Sequence, residues 1–272
     1  MAYPIDASES LQTLSDIARL LAQGQTGRWW VEGRGTLEVS GQARHGRLLL
    51  AHGAGAGQDS AFLVSLRQSL VEAGVQVMAI EFGYMQQMRR EGRRRPPPKV
   101  ERLVEEMADW CDIVSQAGLP APWLGGKSMG GRVASLLAAE RGDNTLSKQP
   151  DQSHQSSRRV AGLALCGYPF HPPGKPERTR LGHWPALDCP TLVLQGTRDP
   201  FGRREEVEGY VLPACADVHF LESGDHDWLP TRRSGLRQED LIREAADKIA
   251  AHMAYCQSTP SVTPSSGEDQ ER

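Results

Sequence analysis

Trp123-Leu-Gly-Gly-Lys-Ser128-Met-Gly-Gly-Arg-Val-Ala-Ser-Leu-Leu-Ala-Ala-Glu140 reads as a short apolar strand, a glycine-built turn and a helix. The strand covers Trp123 to Gly126 and the helix Gly130 to Glu140. At their junction Gly126-Lys127-Ser128-Met129-Gly130 is a G-x-S-x-G pentapeptide in the strand-to-helix context that a nucleophile elbow demands. A turn this tight admits only glycine two residues to either side of the serine, and it thrusts the serine Oγ above the sheet edge. The helix behind it adds free N–H groups and a positive dipole end where an oxyanion would develop. Outside such a context the pentapeptide is common by chance, and a glycine-rich turn with an incidental serine is the plain alternative.

The same rhythm extends in both directions. Upstream, Arg47 to His52 reads as a fully buried strand, Ser60 to Ala73 as a helix with Phe62, Leu66, Leu70 and Val71 on one face, Val75 to Ile80 as a strand and Val100 to Ala117 as a helix. Downstream, Val160 to Cys166, Thr191 to Gln195 and Asp217 to Leu221 read as strands, Glu205 to Leu212 as a helix and Leu236 to Tyr255 as a closing helix. Before the alternation begins, Ser8 to Ala22 has the spacing of a short amphipathic helix with a serine cap, and Trp29 to Glu32 with Thr36 to Val39 reads as a hairpin. Strands alternating with helices at this spacing predict an α/β fold, a mostly parallel central sheet with helices on both faces.

Three stretches stand apart. Tyr84 to Pro98 holds Arg89, Arg90, Arg93, Arg94, Arg95 and three prolines, and reads as a polar loop that ends extended. Residues 142–159 read as a surface insertion rich in Ser, Gln and Asp, and 257–272 as a disordered tail. The expected organisation is one domain over residues 1–256 followed by that tail.

The chain has 272 residues and a formal net charge of −3. A chain of this length can bury one large core. Its near-neutral balance supplies no field to hold a polyanion, which argues against nucleic-acid binding. The longest apolar runs fall far short of the ~20 residues that span a bilayer. The first 25 residues lack the basic start, apolar stretch and cleavage site of a secretory signal, so a cytoplasmic location is expected. Five cysteines without a C-x-x-C pair suggest neither a disulfide framework nor a zinc site.

A serine hydroxyl needs a base, and the base needs an orienting acid. Two further strands end in the required groups: Thr191-Leu-Val-Leu-Gln-Gly-Thr-Arg-Asp199-Pro200 in an Asp, and Val218-His-Phe-Leu-Glu-Ser-Gly-Asp-His226 in a His. The order Ser128, Asp199, His226 is that of an α/β architecture carrying a serine nucleophile. Asp199 is also placed to cap the turn at Pro200, and Asp225 and Asp227 flank His226 as rival acids whose side chains diverge from it. The oxyanion donors expected are the N–H of Met129 and one from the loop His52-Gly-Ala-Gly-Ala-Gly57, with Ala54 first and Gly53 next. The glycine spacing of that loop does not make a G-x-G-x-x-G phosphate cradle.

Taken together, the HGAGAG loop, GKSMGG, the Asp of GTRDPFG and the His of GDHDW resemble the alpha/beta-hydrolase superfamily over about Arg47 to Tyr255. Gly167-Tyr-Pro-Phe-His-Pro-Pro-Gly-Lys-Pro176 with GTRDPFG is similar to a small subgroup of predicted hydrolases related to testis-expressed and nonspecific-lethal-complex proteins. The resemblance implies Ser128 as nucleophile, Asp199 as acid and His226 as base. Lys127 beside the nucleophile and the long insertion depart from the common pattern.

In this superfamily a lid often follows the strand that ends at Cys166, but Tyr168 to Pro185 is too short and too rich in Pro and Gly for a helical one. An open or loop-covered site suits a small soluble ester. His52, Arg89, Arg93 and Trp228 are candidate substrate contacts, with His171, His183 and Trp184 as further pocket candidates; each has a structural reading as well, His52 as a loop anchor and the arginines as a solvated loop. The reaction expected is hydrolysis of an ester or thioester through an acyl-enzyme, with no metal or cofactor. The rival is a hydrolase-fold scaffold that binds a protein or small ligand without turnover.

Overall fold

The computed structural model describes residues 11–31, 34–142 and 160–258. In chain order, β1 (Leu11–Gln12), α1 (Leu14–Ala22), β2 (Gly27–Val31) and β3 (Gly35–Ser40) precede the alternating body. That body runs β4 (Arg47–Ala51), α2 (Ala61–Glu72), β5 (Gln76–Ile80), α3 (Gly83–Glu91), α4 (Val100–Gln116), β6 (Trp123–Lys127) and α5 (Met129–Gly142). It continues with β7 (Gly162–Cys166), β8 (Thr191–Gly196), α6 (Arg204–Val207), β9 (Ala216–Leu221) and α7 (Gln238–Ser258).

The nine strands form one sheet in the order β1-β2-β3-β5-β4-β6-β7-β8-β9. From β5 to β9 every neighbouring pair is parallel, while β3 runs antiparallel to both β2 and β5. Because the body strands are covered on both faces, their residues alternate between two cores. Leu49 and Ala51 of β4 and Leu163 and Leu165 of β7 join α1, α4 and α5 on one face. Leu48 and Leu50, with Ala164 and Cys166, join α2 and α7 on the other. The strand order reverses at β4, with β5 on one side and β6 on the other. The carboxyl ends of β4 and β6 therefore flank the crevice where an open α/β sheet places its ligand.

Several elements differ from the sequence reading for identifiable reasons. Leu11–Gln12, expected as helix, pair as a strand with Trp30 and Val31, and the helix begins only after its cap Thr13, whose Oγ1 accepts from Asp16 N at 3.1 Å while Asp16 Oδ2 accepts from Thr13 N at 3.2 Å; residues 8–10 of the expected helix lie outside the described residues. The basic stretch is helical over Gly83–Glu91 before Gly92 ends it at φ 63°, because Tyr84 and Met85 are buried and Met88 packs against the same core. The segment expected as a helix over Glu205 to Leu212 keeps one turn, Arg204–Val207, since Gly209 and the residue before Pro213 both disfavour continuation. The closing helix runs on to Ser258, so Gln257 is helical, and its Nε2 donates to His45 O at 3.0 Å. Residues 143–159 of the expected insertion and 259–272 of the expected tail lie outside the described residues.

Candidate active site

The turn between β6 and α5 is tight because backbone crowds it. A Cβ on Gly126 would lie 2.6 Å from Ala51 O, and one on Gly130 would lie 2.7 Å from both Ala51 O and His52 O. Real Cβ atoms are not found that close, so both positions need glycine. Between them Ser128 takes φ 53°, a left-handed conformation a non-glycine residue holds only where its surroundings impose it. Its amide is tied back to the sheet by donating to Cys166 O at 2.8 Å.

Asp199 and His226 arrive from the ends of β8 and β9. His226 Nδ1 lies 2.8 Å from Asp199 Oδ2, and Asp199 Oδ1 accepts from Phe201 N at 2.9 Å. The Asp199 side chain is fully buried while that of His226 keeps 22% of its surface exposed. Asp199 thus caps the Pro200 turn and orients the histidine at once. The rival acids are engaged elsewhere: Asp225 Oδ1 accepts from Asp227 N and Leu229 N, both at 2.9 Å, and Asp227 pairs with Lys127. The Phe201 ring lies 4.4 Å from the imidazole, centroid to centroid. Neither Ser128 Oγ nor His226 Nε2 forms a hydrogen bond among the described residues. Such bonds are often loose before a substrate arrives.

The β4 loop reaches the serine because β4 and β6 are paired, Ala51 opposite Gly126. The Cβ position of Gly53 is 3.9 Å from Ser128 Cβ. His52, at the foot of this loop, is fully buried and uses both ring nitrogens: Nε2 accepts from Phe82 N at 3.0 Å, so Nδ1 carries the proton and donates to Gly53 O at 2.7 Å. Burial, opposed only in part by the Gly53 contact, pushes its pKa down to about 4. Tyr84 Oη donates to Gly53 O at 3.3 Å and to Ala54 O at 3.1 Å. In a trans peptide the C=O and the next N–H point oppositely. With Gly53 O held by His52 and Tyr84, the Ala54 N–H points away from those two donors.

Lys127 is the residue whose importance the sequence did not signal. Its side chain is only 7% exposed. Nζ donates to His226 O at 2.5 Å, lies 3.3 Å from Asp227 Oδ1 and sits 5.5 Å from the centroid of the Phe62 ring. The Cβ position of Gly167 lies 3.2 Å from both Lys127 Nζ and His226 O and 3.5 Å from Asp199 Oδ2, so the three groups converge on one glycine. Burial lowers the Lys127 pKa, while Asp227 and Asp199 favour its charged form.

Of the other candidates, most are engaged in packing, hydrogen bonds or ion pairs. His52 is sealed in, as expected of a loop anchor. Trp228 is fully buried with its ring edge-on to Phe62. Arg89 is held by Asp59 at 2.5 Å and by the buried Glu81 at 2.7 Å, so its charge is already compensated. Arg93 is exposed after the end of α3. His171 bonds Pro172 O and Glu206, and Trp184 donates to Tyr168 Oη at 3.0 Å, both as buried packing groups. A groove of about 440 Å³ opens beside Met129, lined by Pro97, Pro98, Lys99, Glu101 and Arg132 among others. The segment between β7 and β8 contributes a single 3-10 turn, Trp184–Ala186, and no lid helix. Among the described residues no helix is long and apolar enough to cross a membrane.

The chain resembles solved structures of low sequence identity. An α/β serine hydrolase homologue from Coxiella burnetii shares 16% identity at a TM-score of 0.57, covering 83% of this chain and 98% of that one. A dienelactone hydrolase from Anabaena variabilis shares 18% at 0.56, covering 82% and 93%. A serine hydrolase without a lid from Xanthomonas campestris shares 16% at 0.51, covering 84% and 93%. These likenesses speak for the fold. No curated protein matches the chain. The alpha/beta hydrolase domain matches residues 44–254, the span from just before β4 to near the end of α7 that holds the elbow, the Asp199–His226 pair and the β4 loop. With sheet order, lid-less connection and sequence in agreement, the chain belongs to the alpha/beta hydrolase domain family.

Proposed function

We propose that the protein is a serine hydrolase that cleaves a small ester or thioester through an acyl-enzyme. The observation that carries this reading is the Asp199–His226 hydrogen bond of 2.8 Å beyond the ends of β8 and β9, with Ser128 presented at φ 53° on the turn after β6. Asp199 accepts the Nδ1 proton of His226, which leaves Nε2 as the basic nitrogen. Nε2 takes the proton of Ser128 Oγ as the oxygen attacks the carbonyl carbon, and the tetrahedral oxyanion is held by the N–H groups of Met129 and Ala54. Met129 opens α5, so its amide has no intrahelical acceptor, and the Ala54 amide points away from the donors that hold Gly53 O. His226 then gives its proton to the leaving alcohol or thiol. Water attacks the acyl-enzyme with His226 again as base, releasing the acid and restoring Ser128.

The short connection after β7 and the groove beside Met129 favour a small acyl group over a long lipid chain. Hydrolysis of p-nitrophenyl esters of graded acyl length tests the reading. Wild type is expected to prefer short chains, and Ser128→Ala and His226→Ala to lose turnover. Equal turnover by wild type and Ser128→Ala would overturn it.

A further inference from the structure

The groove beside Met129 is bordered by two cations, Lys99 and Arg132, against one carboxylate, Glu101. Arg132 lies one turn after Met129 on α5, so both face the same side of that helix. Its Nε is enclosed without a hydrogen-bond partner, and Arg132 forms no ion pair among the described residues. Arg34, Arg67, Arg89 and Arg141 are paired with acids, whereas Arg132 shares with Arg47 and Arg180 a partly buried position without an ion pair among the described residues, and of these three it is the one that lines the groove. Among the groups near Arg132 are the cation Arg180 and the imidazole of His183. The Arg132 charge bears on Arg180, whose pKa is lowered by burial and then by Arg132, and on His183, which burial and Arg132 push down to about 4. A partly buried guanidinium without a carboxylate partner is free to make a charge-assisted contact with an anion entering the groove from solvent.

The position of the groove decides which end of the substrate it takes. None of its lining residues comes from the Asp199 or His226 turns. The leaving group must face His226 to receive its proton, which leaves the Met129 side to the acyl chain. We infer that Arg132, with Lys99, forms an anion subsite selecting esters whose acyl part carries a carboxylate. This rests on the serine hydrolase reading and narrows its substrate class to half-esters of short dicarboxylic acids, as the groove is of small-ligand size.

The test compares monoethyl glutarate with ethyl valerate, near-isosteric acyl chains with and without the carboxylate, by proton release at constant pH, together with fluorophosphonate labelling. Wild type is expected to favour the half-ester in kcat/KM, and Arg132→Gln to lower that selectivity ratio by about 10- to 100-fold, the scale of a charge-assisted contact. Lys99→Gln, at an exposed position, should lower the ratio in the same direction by less, and 1 M NaCl should compress it in wild type. A labelled wild type that turns over ethyl valerate as well as the half-ester, or a ratio unmoved in Arg132→Gln, overturns the subsite and leaves the hydrolase reading standing. Absence of both labelling and turnover overturns the hydrolase reading, and the subsite with it.

Discussion

Lys127 Nζ donates to the carbonyl oxygen of His226 at 2.5 Å, so the residue preceding the proposed nucleophile holds the backbone of the proposed base. This bond crosses from the end of β6 to the turn after β9, and we propose that it positions the base relative to the nucleophile. Lys127→Met keeps a side chain of similar length beside Phe62 but removes the donor to His226 O. It is expected to lower kcat by about 10- to 100-fold with little change in KM, and to cost roughly 1–3 kcal/mol of stability. Steady-state kinetics and denaturant unfolding check both, and Lys127→Arg, which keeps a donor, should recover part of the loss.

Asp199 is the acid on His226 Nδ1, while Asp225 and Asp227 are committed to other partners. Asp199→Asn preserves shape but presents a donor where an acceptor is needed, which favours the wrong tautomer. Turnover should fall by roughly 10⁴-fold, the scale of the equivalent change in serine proteases. Asp225→Asn and Asp227→Asn should each cost far less, as the same assay will read.

His52 predicts an acid-sensitive fold. Its pKa is pushed down to about 4 in the folded state by burial. As pH falls below about 6.5 the unfolded chain takes up a proton that folded His52 refuses until near pH 4. Its contribution is therefore present above the ordinary histidine range and lost between these two values, by roughly 3 kcal/mol. His183, also depressed, acts in the same direction. Denaturant midpoints from pH 7 to 4 should fall steeply in wild type and less steeply in His52→Gln, though that variant starts lower.

Arg89, paired with Asp59 and Glu81, is expected to stabilise the fold and not to select substrate. Removing it leaves the buried Glu81 beside Asp59 with no cation between them. Arg89→Met should destabilise by about 2–4 kcal/mol while leaving the preference among esters as in wild type, measured by unfolding and by relative kcat/KM.

Much of this was legible in the sequence because period and punctuation agree locally. The elbow's glycines, the buried runs of β4 to β8 and the Asp and His closing two strands each carry a local signal that tertiary context did not override. The basic stretch was harder to read, since its arginines mask the buried face of Tyr84 and Met85 that makes α3 a helix. Lys127 and Arg132 illustrate a different limit. A buried lysine and an unpaired arginine are defined by what folds around them, and no spacing within Gly-Lys-Ser-Met-Gly-Gly-Arg distinguishes them from solvated cations. The same holds for Arg89, whose acids Asp59 and Glu81 come from elsewhere in the chain.

The central claim is that Ser128 is an activated nucleophile. Labelling of the full-length protein with a fluorophosphonate probe, followed by mass mapping of the adduct, tests it most directly. A single adduct on Ser128, abolished in Ser128→Ala and strongly reduced in His226→Ala, is the predicted result. A folded wild-type protein that takes no label, or labels equally well without His226, would contradict the account.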